Sequence, residues 1–325
     1  MGGSKDRQGQ MRILITGGFG YIGGRLTQFL ASSGSNTIIL GTRNRVIKPE
    51  WLPNCEVVII EWGSLDSLNQ ICKEVDVIIH LAAMNANECA AEPVMALEFN
   101  GMATARLLSA AVNQNVKRFI YFSTVHVYDS PLNGEINEST LPKSLHPYAT
   151  SHRAGEDVVL ASHGRKEIEG VVIRLSNSFG APVHKNVNCW MLLVNDFCRQ
   201  VITTNKLVLN STGLQRRDFI TMNDVCRATL HLMNYDLNLF SRPLFNLGGE
   251  WTPTVWEMAK IISDCYQEEY GIEPALIRKD PAPYETSSDL HYNIGLIKST
   301  GFVLHSGYEK EIKELLKFCK EFFNN

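Results

Sequence analysis

A doubly wound parallel α/β sheet with a smaller C-terminal α/β region is the fold this sequence predicts, on three observations. Short, continuous apolar runs rich in β-branched residues recur up to residue 175, helical patterns separate them, and a glycine cluster stands between the first run and the first helix. Continuous apolar runs, unlike alternating ones, mark strands covered on both faces, and strand–helix alternation marks parallel pairing.

The elements follow in order. Arg12–Thr16 (RILIT) is the first strand and Tyr21–Ala31 the first helix. Asn36–Leu40, Cys55–Ile60, Val75–Leu81 and Lys117–Phe122 each read as a buried strand, with helical patterns at Asp66–Glu74 and Pro93–Gln114. Tyr148–Ser162 is a further helix, and Val171–Leu175 (VVIRL) continues the rhythm. Beyond Ser176 the pattern breaks into loops and shorter elements until Ile312–Phe323, a charged amphipathic helix. The organisation expected is a flexible leader over 1–10, a nucleotide-binding domain over 11–174 and a C-terminal region over 175–325 with segments returning to the sheet.

Composition narrows the function classes. The chain has 325 residues and a formal net charge of −3 from 31 basic and 34 acidic side chains, which is too balanced for a nucleic-acid or membrane surface. Eight cysteines lie scattered with no CxxC pair, so neither a zinc site nor a disulfide framework is expected. No apolar run reaches the roughly 18 residues of a membrane span. The expectation is a soluble, cytoplasmic protein with no metal.

The glycine cluster carries the first chemistry. In Thr16-Gly17-Gly18-Phe19-Gly20-Tyr21-Ile22-Gly23, Gly17, Gly20 and Gly23 are spaced GxxGxxG between a strand and a helix. Glycine there lets the backbone turn tightly and approach a pyrophosphate, which the N–H groups and partial positive charge of the helix N-terminus then hold. A strand before and a helix after make this a dinucleotide site of the Rossmann type, with Tyr21 and Ile22 opening the helix beside it.

From this loop onward the sequence resembles the extended short-chain dehydrogenase/reductase superfamily, in its branch of nucleotide-sugar epimerases, dehydratases and reductases. His80-Leu81-Ala82-Ala83 is similar to the family's turn after the fourth strand, and Asn100 in FNGMAT to its Asn-x-x-Gly/Ala-Thr helix. Ser123-Thr124-Val125-His126-Val127-Tyr128 resembles its Ser-Ser/Thr-x-x-Val-Tyr segment. Arg174–Gly180, Gln215–Ile220 and Phe245–Gly249 are similar to its later segments, in the family's order. The resemblance implies that Leu81, Ala82, Ala83 and Asn100 border a dinucleotide, and that the C-terminal region binds a nucleotide-diphosphate sugar. Arg217 and Asn177 would hold the diphosphate, although a salt bridge from Arg217 to Asp218 or Asp224 is the structural alternative.

Which dinucleotide is bound turns on the end of the second strand. A carboxylate about 20 residues beyond the loop normally holds the ribose hydroxyl of NAD. This strand ends Leu40-Gly41-Thr42-Arg43, without an acid, and an Arg can pair with the 2′-phosphate of NADP. NADP or NAD is therefore expected, tilted to NADP by Thr42 and Arg43. Glu61 lies where the family has an Asp beside the adenine.

The family's hydride chemistry uses a Tyr as acid/base, a Ser or Thr on the same oxygen, and a Lys four residues after the Tyr. By position these are Thr124, Tyr148 and, departing from the pattern, His152. Residues four apart share a helix face, so His152 can still hydrogen-bond the nicotinamide ribose. It supplies less of the field that lowers a tyrosine pKa than a permanent ammonium does. Val125 and His126 stand where dehydratases resemble Asp-Glu, so elimination of water is not expected; His126 either lines the sugar pocket or packs at the sheet edge.

Three functions remain in play: a nucleotide-sugar (4-)epimerase that borrows and returns hydride; an NADPH-dependent reductase of a 4-keto nucleotide sugar; and a regulator that binds NADP without turnover, which the missing Lys motivates. The first is the reading preferred. The resemblance also implies a homodimer through helices 93–114 and 148–162.

Overall fold

The structure is a computed structural model that describes residues 10–32, 34, 36–44, 48–305 and 307–324. The leader expected over 1–10 lies outside these except for Gln10. Two compact units make up the chain. Unit 1 comprises Met1–Ser123, Leu145–Ile173 and Leu230–Leu244; unit 2 comprises Thr124–Ser144, Arg174–Thr229 and Phe245–Asn325.

Unit 1 opens with β1 (Arg12–Thr16), α1 (Tyr21–Ser32), β2 (Thr37–Thr42), β3 (Glu56–Ile59), α2 (Leu65–Cys72) and β4 (Val77–His80). It continues through α3 (Ala86–Ala91), α4 (Pro93–Ala96), a π-helical turn (Leu97–Met102), α5 (Ala103–Asn113) and β5 (Arg118–Thr124). In unit 2, β6 (Gly134–Ile136) follows; the chain then returns to unit 1 as α6 (Pro147–Gly164) and β7 (Glu169–Leu175). The seven-stranded sheet has the order β11-β7-β5-β4-β1-β2-β3, where β11 is Leu244–Leu247. Its β1–β2, β1–β4, β2–β3 and β4–β5 pairs are all parallel. The order reverses at β1, which lies between β2 and β4, so the crevice at the C-terminal ends of β1 and β4 is the place where α/β sheets take ligands.

The core of unit 1 packs Leu14, Ile39, Ile78, Phe119 and Val172 of the strands against Leu68, Leu107 and Val159 of the helices. Each such side chain stabilises by roughly 1.5–3 kcal/mol relative to exposure. Two expectations need correction. The run Cys55–Ile60 is not a buried strand: β3 is the sheet edge, with Glu56 and Ile59 exposed and only the flanking Cys55 and Ile60 buried. An apolar run does not reveal whether a strand has neighbours on both sides. Pro93–Gln114 is helical as expected up to Asn113, but not α-helical throughout, because a π-helical turn stands inside it at Leu97–Met102. Such bulges cluster at functional sites, and this one contains Asn100.

Unit 2 contains β8 (Asn177–Phe179), α7 (Leu193–Thr204), β9 (Lys206–Val208), β10 (Phe219–Thr221) and most of α8 (Met222–Asn234). Then come α9 (Val255–Tyr270), β12 (Ala275–Ile277), β13 (Leu290–Tyr292), α10 (Gly295–Ser299) and α11 (Tyr308–Phe323). Its strands pair as parallel two-stranded ribbons, β8 with β10, β9 with β12 and β6 with β13. Its core joins Phe179 and Phe219 to Phe197 and Val201 of α7, Met258 and Ile262 of α9, and Ile312, Leu315 and Leu316 of α11. Among the described residues no helix is long and apolar enough to cross a membrane.

Candidate active site

The glycine turn of unit 1 is built for close approach. Gly17 has φ +70°, and the Gly20 N–H donates to its carbonyl at 2.8 Å. A Cβ on Gly23 would lie 2.2 Å from that same carbonyl oxygen, and one on Gly17 would meet Leu81 and Ala82 backbone at 3.0 Å. The loop is thereby pressed against the turn after β4, with the N-terminus of α1 opening at Tyr21. Gly17, Gly20, Gly23, Leu81 and Ala82 are brought together, and the donors and the space they leave fit a dinucleotide pyrophosphate.

Below this turn a row of side chains crosses the sheet. Thr16 is in register with His80, and His80 with Tyr121. The protons in the row can be assigned one by one. The N–H groups of Leu81 and Ala82 donate to Thr16 Oγ1, each at 3.2 Å, and Thr104 Oγ1 donates to the Asn100 carbonyl at 2.7 Å. Thr104 Oγ1 can then only accept from His80 Nε2 (2.9 Å), so Thr16 Oγ1 donates to His80 Nδ1 at 2.6 Å. Burial, with the neighbouring His152 adding to it, lowers the His80 pKa to about 3, so this imidazole stays neutral. Asn100 Oδ1 accepts from Met84 N–H at 2.8 Å, its Nδ2 donates to Ser151 Oγ at 3.0 Å, and Ser151 donates to the Tyr148 carbonyl at 3.1 Å. Asn100 is buried and joins the loop after β4 to the first turn of α6.

That turn carries the expected acid/base. Pro147 opens α6 at its first position, and His146 caps it by accepting from Tyr148 N–H at 3.2 Å. Tyr148 is half-buried, whereas His152, one turn on, is only 3% exposed. The rings meet edge to face, with centroids 4.6 Å apart. Tyr121, 2% exposed, reaches His152 from the sheet side, its hydroxyl 3.0 Å from Nδ1. Next along the helix, Glu156 accepts from Ser123 Oγ at 2.5 Å. Sequence reasoning missed Tyr121; the signal available was a tyrosine three residues before Thr124 in an otherwise apolar strand.

At the end of β2, Arg43 is exposed and lays its guanidinium 5.1 Å over the Phe99 ring. Phe99 packs edge-on against Trp62 at 5.4 Å, and Trp62 follows the exposed Glu61. Among the described residues no carboxylate lies within ion-pair distance of Arg43. Ala83 is exposed, and Thr42 and Ile22 are half-buried.

Unit 2 holds the remaining candidates. Thr124 Oγ1 accepts from His126 N–H at 3.2 Å, capping the short 3-10 turn Val125–Val127 and keeping its own proton to donate. Val125 is buried and His126 exposed. Tyr128 donates to Asn246 Oδ1 at 2.7 Å and lies under the Arg174 guanidinium at 4.7 Å. Asn177 Nδ2 donates to the Asp218 carbonyl at 2.8 Å, which ties Asn177 to the segment bearing Arg217. The salt-bridge alternative for Arg217 is not found. Asp218 accepts instead from Gly249 and Trp251 N–H, and Asp224 pairs with Arg227 at 2.7 Å. Arg217 is half-buried, and desolvation lowers its pKa. Thr221 caps the start of α8, its Oγ1 accepting from Asp224 N–H at 3.1 Å.

A family model described as the NAD dependent epimerase/dehydratase family matches residues 13–248. Among similar proteins, a dTDP-D-glucose 4,6-dehydratase of Bos taurus is 25% identical over 97% of this chain and 90% of its own length. A putative UDP-glucose 4-epimerase of Methanocaldococcus jannaschii is 24% identical over 95% of this chain and 98% of its own. Among solved structures, the UDP-N-acetylglucosamine 4-epimerase of Methanobrevibacter ruminantium superposes with a TM-score of 0.80 at 23% identity, covering 95% of this chain and 98% of that one. With a glycine turn shaped for a dinucleotide and a family match over most of its length, this chain belongs to the NAD-dependent epimerase/dehydratase family of nicotinamide-dinucleotide enzymes.

Proposed function

We propose that the protein is a nucleotide-sugar epimerase that inverts a sugar carbinol centre, position 4 being the first candidate, by oxidation and re-reduction. The observation that carries the reading is Tyr148, half-buried on the first turn of α6 and tied through Ser151 and Asn100 to the glycine turn's neighbour. Bound between Gly17, Gly20, Gly23 and the Leu81–Ala83 turn, a nicotinamide dinucleotide supplies reversible hydride acceptance. Tyr148 takes and returns the hydroxyl proton, Thr124 is the hydroxyl side chain that the resemblance pairs with this chemistry, and His152 stands in the lysine's place. Asn177 orders the segment from which Arg217, desolvated and without a carboxylate partner among the described residues, binds the diphosphate. Val125 is buried and His126 cannot act as a carboxylic acid, which favours an epimerase over the dehydratases among the relatives.

Incubation with UDP- and dTDP-hexoses plus NAD+ or NADP+, followed by NMR of the sugar, tests this. Epimer formation that Tyr148→Phe reduces by roughly 10²–10⁴-fold is expected; unchanged turnover in that variant overturns it.

A net reductase using NADPH is the second reading, favoured by Arg43, which can meet a 2′-phosphate and has no carboxylate within ion-pair distance among the described residues. Denaturing the purified protein and weighing any released dinucleotide separates the two: retained NAD+ supports the epimerase, and an empty protein that binds NADPH far better than NADH supports the reductase. We further propose a cytoplasmic homodimer. The eight cysteines are all buried thiols. Val94, Met95, Leu97 and Met102 are exposed on the α4–α5 stretch of unit 1, an apolar surface suited to a second copy. Val94→Glu combined with Met102→Glu is expected to convert the dimer to monomer in sedimentation.

A further inference from the structure

We propose that Tyr121 is a positioning residue that fixes the tautomer of His152, so that the imidazole presents an N–H rather than a lone pair at Nε2. The inference rests on the reading above that His152 takes the lysine's place. A lysine there would present only donors. A neutral imidazole presents a donor at one nitrogen and an acceptor at the other, and which is which depends on the hydrogen bond the other nitrogen makes.

The geometry supplies that bond. The Tyr121 hydroxyl lies 3.0 Å from His152 Nδ1 and 3.4 Å from the His152 carbonyl, with the Thr104 hydroxyl, whose own proton goes to the Asn100 carbonyl, also beside it. The His152 carbonyl is also the acceptor of the α6 backbone ladder, and 3.4 Å is long for an O–H donor. Burial raises the Tyr121 pKa well above its ordinary value, with the Glu156 charge adding to it, so the phenol keeps its proton. Placing that proton on the shorter contact makes Nδ1 the acceptor, and an imidazole that accepts at Nδ1 carries its hydrogen on Nε2. A buried phenol without a partner would be costly, so the bond is structural as well.

The space for it is also built. A Cβ on Gly155, on the next turn of α6, would lie 2.4 Å from the Tyr121 hydroxyl oxygen and 2.6 Å from Cζ. The helix has no side chain at the point where the phenol arrives. On the other side, His80 packs against the Tyr121 ring at 5.7 Å and is itself locked by Thr16 and Thr104. The phenol is held from both sides.

The test is long-range ¹H–¹⁵N correlation NMR on the dinucleotide-stripped protein labelled at histidine nitrogens. His152 is assigned by loss of its signals in His152→Gln, and His80 serves as an internal Nε2–H reference. Nε2–H at His152 is expected in the wild type, with a mixture or the Nδ1–H form in Tyr121→Phe. An Nδ1–H wild type, or a pattern that Tyr121→Phe leaves unchanged, overturns the proposal without touching the lysine-replacement reading. Calorimetric titration with NAD+ and with NADPH supplies the second arm. Both Tyr121→Phe and His152→Gln are expected to weaken the preferred dinucleotide by roughly 3- to 10-fold, the worth of one hydrogen bond. Weakening by His152→Gln alone overturns the role of Tyr121. Unchanged affinity in both variants overturns the lysine-replacement reading and the proposal with it.

Discussion

Asp218 allows the most quantitative prediction. It is fully buried beside Arg217, with Oδ1 accepting from Gly249 N–H at 3.0 Å and Oδ2 from Trp251 N–H at 3.3 Å. Burial pushes its carboxyl up to about 7, against the pull of those two N–H groups, and the Glu250 charge adds to the rise. A carboxyl whose pKa is higher folded than unfolded binds its proton more tightly in the native state. Its contribution to stability is therefore complete below about pH 4 and is lost as pH rises through 7. A displacement of about three units at 1.36 kcal/mol each sets the whole effect at roughly 4 kcal/mol. In Asp218→Asn nothing titrates, but the amide can accept from only one of the two N–H groups and turns its own donors toward the other, at a cost of about 1–3 kcal/mol. The variant should be clearly less stable than wild type at pH 5, and the gap should close or reverse by pH 8. Thermal unfolding midpoints of both proteins at half-unit pH steps give the comparison. A difference that stays constant from pH 5 to 8 would mean that Asp218 is ionised throughout and would refute the burial argument.

Three further outcomes are expected. Gly155→Ala places a methyl group in the space of the Tyr121 phenol, so overpacking of about 1–3 kcal/mol should exceed the helix-propensity gain of up to about 1 kcal/mol and lower the unfolding midpoint. Adding Tyr121→Phe should recover only part of the loss, because Cζ alone remains 2.6 Å from the new Cβ; full recovery would place the clash at the hydroxyl alone. Arg217→Ala should weaken UDP binding, measured by calorimetry, by roughly 10- to 100-fold, the range of a charge-assisted hydrogen bond, and leave dinucleotide affinity unchanged.

Much of this is legible in the sequence because it depends on local pattern. The glycine turn, the strand–helix rhythm and the Pro-Tyr opening of α6 are set by residues within one turn or one strand of each other. The two misread elements failed for a non-local reason. Cys55–Ile60 has the apolar content of an inner strand yet lies at the sheet edge, and 93–114 has one continuous helical pattern yet is interrupted where Asn100 joins two other segments. Of the site, Arg217 and Asn177 were visible as residues. That Asn177 acts through the Asp218 carbonyl, and that Asp218 binds the 249–251 turn, depends on pairs 31 to 41 positions apart.

The departure at position 152 is the clearest case of a residue that cannot be read singly. Taken alone, a histidine where the resemblance expects a lysine removes a permanent charge from the proposed acid/base turn and reads as a loss of function. The fold places a hydroxyl at 121, 3.0 Å from the new ring, and a glycine at 155, without which that hydroxyl would not fit. The ring at 152 and the phenol at 121 share a hydrogen bond, and a side chain at 155 would collide with the phenol that makes it. The three positions are physically coupled and their substitutions should not add. That coupling is what the proposed donor role of His152 requires, because the imidazole is oriented by a phenol for which the helix leaves room.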